Sequence, residues 1–349
     1  MKVWRTKVQK KNVILADCDA EEVDSFAQGL SSGEQVFQTE SHIANWKRTG
    51  PWSELKRYGM YFAVAWKAFA KRKAYGILVG WQQFYALIFC FYCSLFRVKK
   101  PCKVVAFNFT YKRKNGKFAG IYRWFMGKCL DQKYLDYIHV PSEQYADFVT
   151  VEFGFPRDRM LVIPFGVNDR YDVFSKLPVP DGYQKDGYAL AIGRSNRDYD
   201  FLIQAWQNIE YPLVIISDTY TGTAAQQNIT ILRNVAGEAS YPWIAHCGLM
   251  VIPIDDGTIC SGDTVLLTAM SMERKILVTA PSTLAEMYIT DGENAVLTEK
   301  NVETFQSAVK RMLFSGECAM LGKQARKSYL QQFTRNSMGV RLAERLQAR

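Results

Sequence analysis

Histidine is scarce: the 349 residues contain three, His42, His139 and His246, and no Ser/His/Asp order forms around them. Serine-hydrolase chemistry is therefore without support. No Gly-x-Gly-x-x-Gly follows a strand, which argues against a dinucleotide-dependent dehydrogenase. Internal repeats, low-complexity tracts and recognisable nucleic-acid modules are all missing. No cleavable secretory start is expected, since the chain opens MKVWRTKVQKKN before its first apolar run. The eight cysteines (18, 90, 93, 102, 129, 247, 260, 318) are scattered, mostly inside apolar stretches. A reduced, cytosolic compartment is the expectation. Cys90-x-x-Cys93 has no second ligand pair and lies in an aromatic run, favouring core packing over zinc.

Acidic residues are few in the first half. Residues 1–140 carry 24 Lys+Arg against 10 Asp+Glu, whereas residues 141–349 carry 20 against 24. An N-terminal half at +14 suggests a polyanionic partner, nucleic acid or an anionic membrane surface, although a merely solvated basic face has the same composition. The segment Lys56–Lys73 reads as a basic amphipathic helix that either lies on anionic lipid or covers a sheet. Ala74–Phe96 lacks formal charge over 23 residues, long enough for a membrane span. Its internal division into Ala74–Gly80, a strand closed by glycine, and a Gln82–Phe96 helix favours a buried strand and helix.

What is present is an α/β pattern of 48% apolar residues. Apolar runs at Val13–Ala16, Gly76–Val79, Lys103–Phe107 and Tyr137–Val140 form one series. A second comprises Tyr188–Ile192, Pro212–Ile216, Leu249–Pro253 and Ile276–Thr279. Two parallel α/β domains follow, with a Pro- and Gly-containing linker between them.

The most specific stretch is Ile259–Met272, a Ser-Gly turn opening a buried helix between two strands. Backbone N–H groups at Gly262, Asp263, Thr264 and Val265, with the helix dipole, suit a phosphate. The simpler alternative is that Ser261 or Asp263 caps the helix. Gly193, Arg194 and Arg197 follow the Tyr188–Ile192 strand, where open α/β sheets bind ligands; two arginines and a helix N-terminus suit a diphosphate.

These residues resemble the family 4 glycosyltransferases of the GT-B architecture, of the capsule and exopolysaccharide type. The resemblance covers roughly residues 137–345, through His139-Val-Pro-Ser142, Met160–Val167, Gly193-Arg194 with Arg197-Asp198, Ser261–Met270 and Asp291–Leu297. It implies two Rossmann-like domains facing each other across a cleft. The expected boundaries are 1–168 for the acceptor domain, 169–187 for the linker, 188–332 for the nucleotide-sugar domain, and 333–349 for a helix crossing back.

The implied activity is retaining transfer of a hexose from a UDP-, GDP- or ADP-sugar to a saccharide, without metal or other cofactor. A lipid-linked acceptor at the inner face of the cell membrane would explain the basic half, placing the protein in the cytoplasm and peripheral to that membrane. Arg194 and Arg197 are the implied catalytic cations, with Gly193, Ser261, Gly262, Asp263, Thr264, Thr268 and Cys260 at the donor. Cys260 and Thr268 occupy the positions of the family's Glu pair around sugar and ribose. An inactive GT-B binding protein is therefore one alternative, and a basic nucleic-acid binder another, though no nucleic acid is expected as a partner. Glu273-Arg-Lys275 replaces the usual Gly-Lys-Pro, leaving Glu273 an unfavourable backbone angle. Asp255-Asp256 resembles a metal pair, but arginines and backbone donors are expected to neutralise the leaving group instead. His139 is expected to be structural, and His246 to reach the site.

Overall fold

The computed structural model describes residues 10–31, 35–44, 51–111, 113–235 and 237–347. The opening Met1–Gln9, part of the stretch read as no secretory start, lies outside them. Two units organise the chain: residues 1–163 with 335–349, and residues 164–334.

In unit 1, β1 (Lys11–Ala16), α1 (Ala20–Leu30), β2 (Phe37–Ser41), α2 (Pro51–Ala70), β3 (Tyr75–Gly80), α3 (Gln83–Leu95), β4 (Lys103–Ala106), α4 (Ala119–Cys129), β5 (Tyr137–Val140), α5 (Glu143–Phe153) and β6 (Met160–Val162) follow in order. The strands form one parallel sheet, β2-β1-β3-β4-β5-β6. Val104, Val105 and Ala106 of β4 are fully buried, as strands covered on both faces must be, which is why such strands read as unbroken apolar runs.

The uncharged stretch Ala74–Phe96 resolves into β3 and α3. Gly80 closes the strand because a Cβ there would sit 2.7 Å from the Ala86 Cβ. Helix α3 is apolar almost all round, with Tyr85 to Cys90 buried, and fills the centre of unit 1. Among the described residues no helix is long and apolar enough to cross a membrane. Helix α2 buries Tyr61, Val64, Ala65, Ala68 and Phe69, the i, i+3, i+4 stripe of a covering helix, in the cluster that contains α3.

In unit 2, α6 (Tyr171–Phe174), β7 (Ala189–Ile192), α7 (Tyr199–Ala205), β8 (Leu213–Ile216), β9 (Ile229–Leu232), α8 (Tyr241–His246), β10 (Leu249–Ile252), α9 (Asp263–Ser271), β11 (Lys275–Ala280), α10 (Thr283–Tyr288), β12 (Val296–Glu299), α11 (Val302–Phe314) and α12 (Leu321–Gln332) alternate. Their parallel sheet has the order β12-β11-β10-β7-β8-β9.

Residues 169–187, expected as a linker, are instead part of unit 2. Phe174 stacks on Tyr241 at 4.1 Å, Tyr183 packs edge-on against Tyr188 and Trp243, and the Leu177 carbonyl is held by His246. Polar and Pro-rich composition concealed these apolar anchors. The last helix, α13 (Arg335–Gln347), belongs to unit 1 and packs on α1. Gly29 and Gly339 permit that approach: a Cβ on Gly29 would meet the Asn336 carbonyl oxygen at 2.1 Å, and one on Gly339 the Phe26 carbonyl oxygen at 2.2 Å.

Candidate functional site

The order of the unit 2 sheet reverses direction between β7 and β10, and open α/β sheets bind ligands beyond the strand ends at such a point. A cavity of about 610 Å³ lies there, with the ends of β7 and β8 and the start of α9 around it. Gly193, Arg194, Arg197, Ser261, Gly262, Asp263, Thr264 and Thr268 all line it, so the fold gathers residues separated by some seventy positions in the chain. Cys260 adjoins them in sequence but is not on the wall.

Arg197 is the centre of this arrangement. A Cβ on Gly193 would stand 3.0 Å from its Nε, and one on Gly262 would stand 2.5 Å from its Nη2. The guanidinium is thus flanked by two glycines, each at positive φ (155° and 97°), and any larger residue at either place would displace it. Its Nη1 reaches only neutral oxygens, those of Ser195 at 3.3 Å, Asn196 at 3.1 Å and the Ser261 hydroxyl at 3.5 Å. Its Nε is buried without a hydrogen-bond partner among the described residues. Burial lowers the Arg197 pKa from its ordinary value, the signature of a cation desolvated without full compensation, while the nearby Tyr199 and Asp263 oppose that shift.

The loop carrying Arg197 is fastened from below. Arg197 makes an antiparallel bridge with Ile254, and Asp198 N donates to the Pro253 carbonyl at 2.9 Å. Asn196, at φ 54°, stitches the opposite loop: its Nδ2 donates to Asp256 O (3.0 Å), Ile259 O (3.3 Å) and the Ser261 hydroxyl (2.9 Å), while its Oδ1 accepts from Asp256 N (2.7 Å). Sequence reasoning passed over Asn196. The available signal was an asparagine between two arginines just beyond a strand, a residue type that tolerates left-handed backbone and bonds locally. Ser217 and Asp218, also on the cavity wall, were missed although they directly follow the correctly placed β8.

At the start of α9, Gly262 is the N-cap residue and no side chain caps the helix. The Asp263 carboxylate accepts from its neighbour Thr264 N at 2.9 Å, so one first-turn donor is already engaged. Ser261 turns toward Asn196 and Arg197. The simple capping alternative is therefore not realised: neither Ser261 nor Asp263 makes a cap hydrogen bond to the helix, although Asp263 engages the adjacent Thr264 amide. Thr268 is 8% exposed and donates its hydroxyl to Thr264 O at 2.7 Å, so it offers a ligand an acceptor oxygen and not a donor. Burial, followed by the Asp263 charge, pushes the Cys260 thiol up to about 12; it is neutral and does not reproduce a carboxylate. Arg194 is exposed at the cavity rim, with no ion pair for its side chain among the described residues. Its carbonyl accepts from the Thr219 hydroxyl at 2.5 Å.

Several other candidates are structural. His246, expected to reach the site, binds the Leu177 carbonyl at 2.7 Å and does not line the cavity, because it ends α8 on the side that holds residues 169–187. His139 stacks on Phe107 at 4.1 Å and places Nε2 2.7 Å from Ile163 O; burial lowers its pKa to about 4. Asp255 is paired with Lys300, which also binds Asp198, and Asp256 accepts from Thr258. Among the described residues no three His, Cys, Asp or Glu side chains are grouped to hold a metal. Glu273 does take a positive φ of 60°, closing α9 with bonds from Glu273 N to Met270 O and Arg274 N to Ala269 O. Asp291–Leu297 folds as a turn, with Leu297 N donating to Asp291 Oδ1.

Residues 187–315, the stretch that builds this cavity, match the family model described as glycosyl transferases group 1. No curated protein matches the sequence. Among solved structures, the whole chain is similar to HepE of Anabaena in complex with UDP and glucose, at 13% identity and TM-score 0.66, covering 97% of this chain and 100% of that one. Sucrose-phosphate synthase from Thermosynechococcus elongatus gives 13% identity and TM-score 0.67, with 97% and 99% covered. A glycosyltransferase from Rickettsia africae gives 13% and 0.62, with 97% and 100% covered. The fold is GT-B. A group 1 domain on a GT-B fold supports a glycosyltransferase, with the cavity beyond β7 and β8 lying within the matched segment.

Proposed function

We propose that this GT-B protein is a retaining hexosyltransferase that takes a sugar from a UDP-, GDP- or ADP-sugar and works without a metal ion. The observation that carries this reading is the Arg197 guanidinium, held between Gly193 and Gly262 beside the first turn of α9, with its Nε buried and without a hydrogen-bond partner among the described residues. A diphosphate supplies counter-charge and the acceptor that Nε lacks. As the sugar–phosphate bond breaks, negative charge collects on the leaving diphosphate, and a cation already oriented and partly desolvated stabilises it with little reorganisation. Arg194 adds a second, exposed cation from the rim. Thr268 accepts from a ribose hydroxyl, and the leaving phosphate takes the acceptor's proton. The UDP and glucose bound by HepE are in keeping with such a donor.

The acceptor in this reading is a lipid-linked saccharide used in surface polysaccharide assembly, and the protein works at the inner face of the cell membrane. Its support is the 24 to 10 charge count of residues 1–140. A screen of UDP-, GDP- and ADP-hexoses for hydrolysis or transfer in excess EDTA tests the proposal. One donor should turn over in EDTA. Turnover that collapses in EDTA and returns with Mg²⁺ or Mn²⁺ would refute metal independence. Cys260 and Thr268 in place of two carboxylates favour one second reading, a GT-B protein that binds the nucleotide without turning it over, and tight UDP binding with no turnover of any donor would establish it.

A further inference from the structure

Unit 1 carries an aromatic surface that continues outward from its core, through Phe91, Tyr92, Phe62 and Phe125, to exposed rings. Trp124 on α4 is 57% exposed and contacts Phe91; Phe91 contacts Tyr92, Tyr92 contacts Trp66 on α2, and Trp66 contacts Phe96, with every ring pair between 5.1 and 6.3 Å. Trp66, Leu95 and Phe96 are themselves exposed. This row of rings links α4, the end of α3 and α2, with Trp124, Phe96 and Trp66 exposed and Phe91 and Tyr92 half-buried between them. Toward the start of α2, Phe118 (78% exposed) and Ile121 (63%) stand over a groove of about 580 Å³ floored by Tyr58, Phe62, Phe84 and Phe125. Trp52 and Leu55 are also exposed there. Isolated exposed apolar residues need no explanation, but a connected patch of this extent does.

The charge around the patch selects its partner. Residues 51–73, 91–99 and 114–128, the segments that build it, contain twelve Lys+Arg and one acid, Glu54. Glu54 is paired with Arg57, and of the twelve Arg123 is spent on Glu152. Exposed tryptophans and phenylalanines between lysines are the composition of a surface that sits at the headgroup level of a bilayer, rings in the acyl boundary and ammonium groups at the phosphates. A protein partner of ordinary charge would leave the cations unmatched, and no described helix spans a membrane.

We infer that the outer face of α2, α3 and α4 is a monotopic membrane-docking surface that seats on anionic lipid, with Phe118, Ile121, Trp124 and Trp66 entering the acyl boundary and Lys114 and Lys117 reaching the headgroups. The inference deepens the membrane-peripheral part of the proposed function and rests on it. It does not depend on the donor site.

The test uses the full chain and vesicles of phosphatidylcholine with or without about a third phosphatidylglycerol. The protein should float with the anionic vesicles, release as salt rises, and lose tryptophan fluorescence when the acyl chains are brominated. Phe118→Ser/Ile121→Ser/Trp124→Ser should reduce partitioning about tenfold or more, with the melting temperature and the UDP-induced thermal shift retained, because all three side chains are already exposed. Val151→Ser, which removes an 82% exposed apolar side chain on α5, should bind vesicles as the parent does. Arg197→Ala should lose the UDP response and keep vesicle binding, so failure of the donor reading is separable from failure of this one. Equal binding to neutral vesicles, no binding to either kind, or a dimer in solution that the triple substitution abolishes would each overturn the inference.

Discussion

Replacing Arg197 by methionine should make the ligand-free protein more stable and the site useless. The methionine fills the slot between Gly193 and Gly262 at comparable volume, so little cavity is created. What is removed is a cation whose Nε is buried without a partner and whose Nη1 bonds, at 3.1 to 3.5 Å, reach neutral oxygens only. Relief of the unsatisfied group is worth about 1–3 kcal/mol, and three long neutral-acceptor bonds return about 0.5 kcal/mol each, leaving a net gain of about 0.5 kcal/mol at the middle of that range. For a domain the size of unit 2 that is a rise of about 1–2 °C in melting temperature. Saturating nucleotide reverses the ranking. At a UDP concentration of about 100 Kd the parent gains about 2.7 kcal/mol, and the variant, having lost a charge-assisted contact worth about 1.5–3 kcal/mol, gains little. Differential scanning fluorimetry with and without UDP measures both terms. A variant that melts below the parent without ligand while keeping the full UDP shift would refute the argument that Arg197 is a strained, diphosphate-directed cation.

Asn196→Ala removes four hydrogen bonds that hold Asp256, Ile259 and Ser261, and should raise the donor KM several-fold with a fall of about 1–3 kcal/mol in stability, read by steady-state kinetics and thermal melts. His139 is kept neutral by burial with a pKa of about 4, so between pH 6.5 and 4 the unfolded chain binds the proton that the folded one refuses. Stability should therefore fall with pH through that window, by on the order of 3 kcal/mol in all, and His139→Asn should flatten that part of a denaturation-against-pH profile. Gly29→Ala and Gly339→Ala each drive a methyl into backbone of the facing helix and should cost about 1–3 kcal/mol or more in urea unfolding, whereas Gly120→Ala, with nothing within 4 Å, should not.

Eight of the twelve strands were legible as apolar runs, because a strand covered on both faces has no room for polar residues. The exceptions have physical reasons. Phe37-Gln-Thr-Glu-Ser41 (β2) and Ile229–Leu232 (β9) are edge strands with a single neighbour, and only the first residue of each is buried. Phe174, Leu177 and Tyr183 anchor residues 169–187 to unit 2, yet they stand among prolines and charges that read as linker. Around the cavity, the arginines and the Ser-Gly turn stood out in the sequence because they are residue types that suit a phosphate beside strand ends and helix starts. That Gly193 and Gly262 close on one guanidinium from different loops is a tertiary fact, and no local pattern carries it. The tethers of Asn196 are likewise made to positions about sixty residues away.

Helix α13 gives the fold an order of assembly. Unit 2 is one uninterrupted stretch of chain, whereas unit 1 is completed only by residues that leave the ribosome after all of unit 2. Until Arg335–Gln347 emerges, the close-packed seam of α1 around Phe26 and Gly29 has nothing to lie against. The unit that is begun first is thus the last to have all its residues. A truncation before residue 335 should therefore cost the N-terminal unit more than the later-made one, and a nascent chain holds every residue of unit 2 while its basic, aromatic-rich unit is still incomplete.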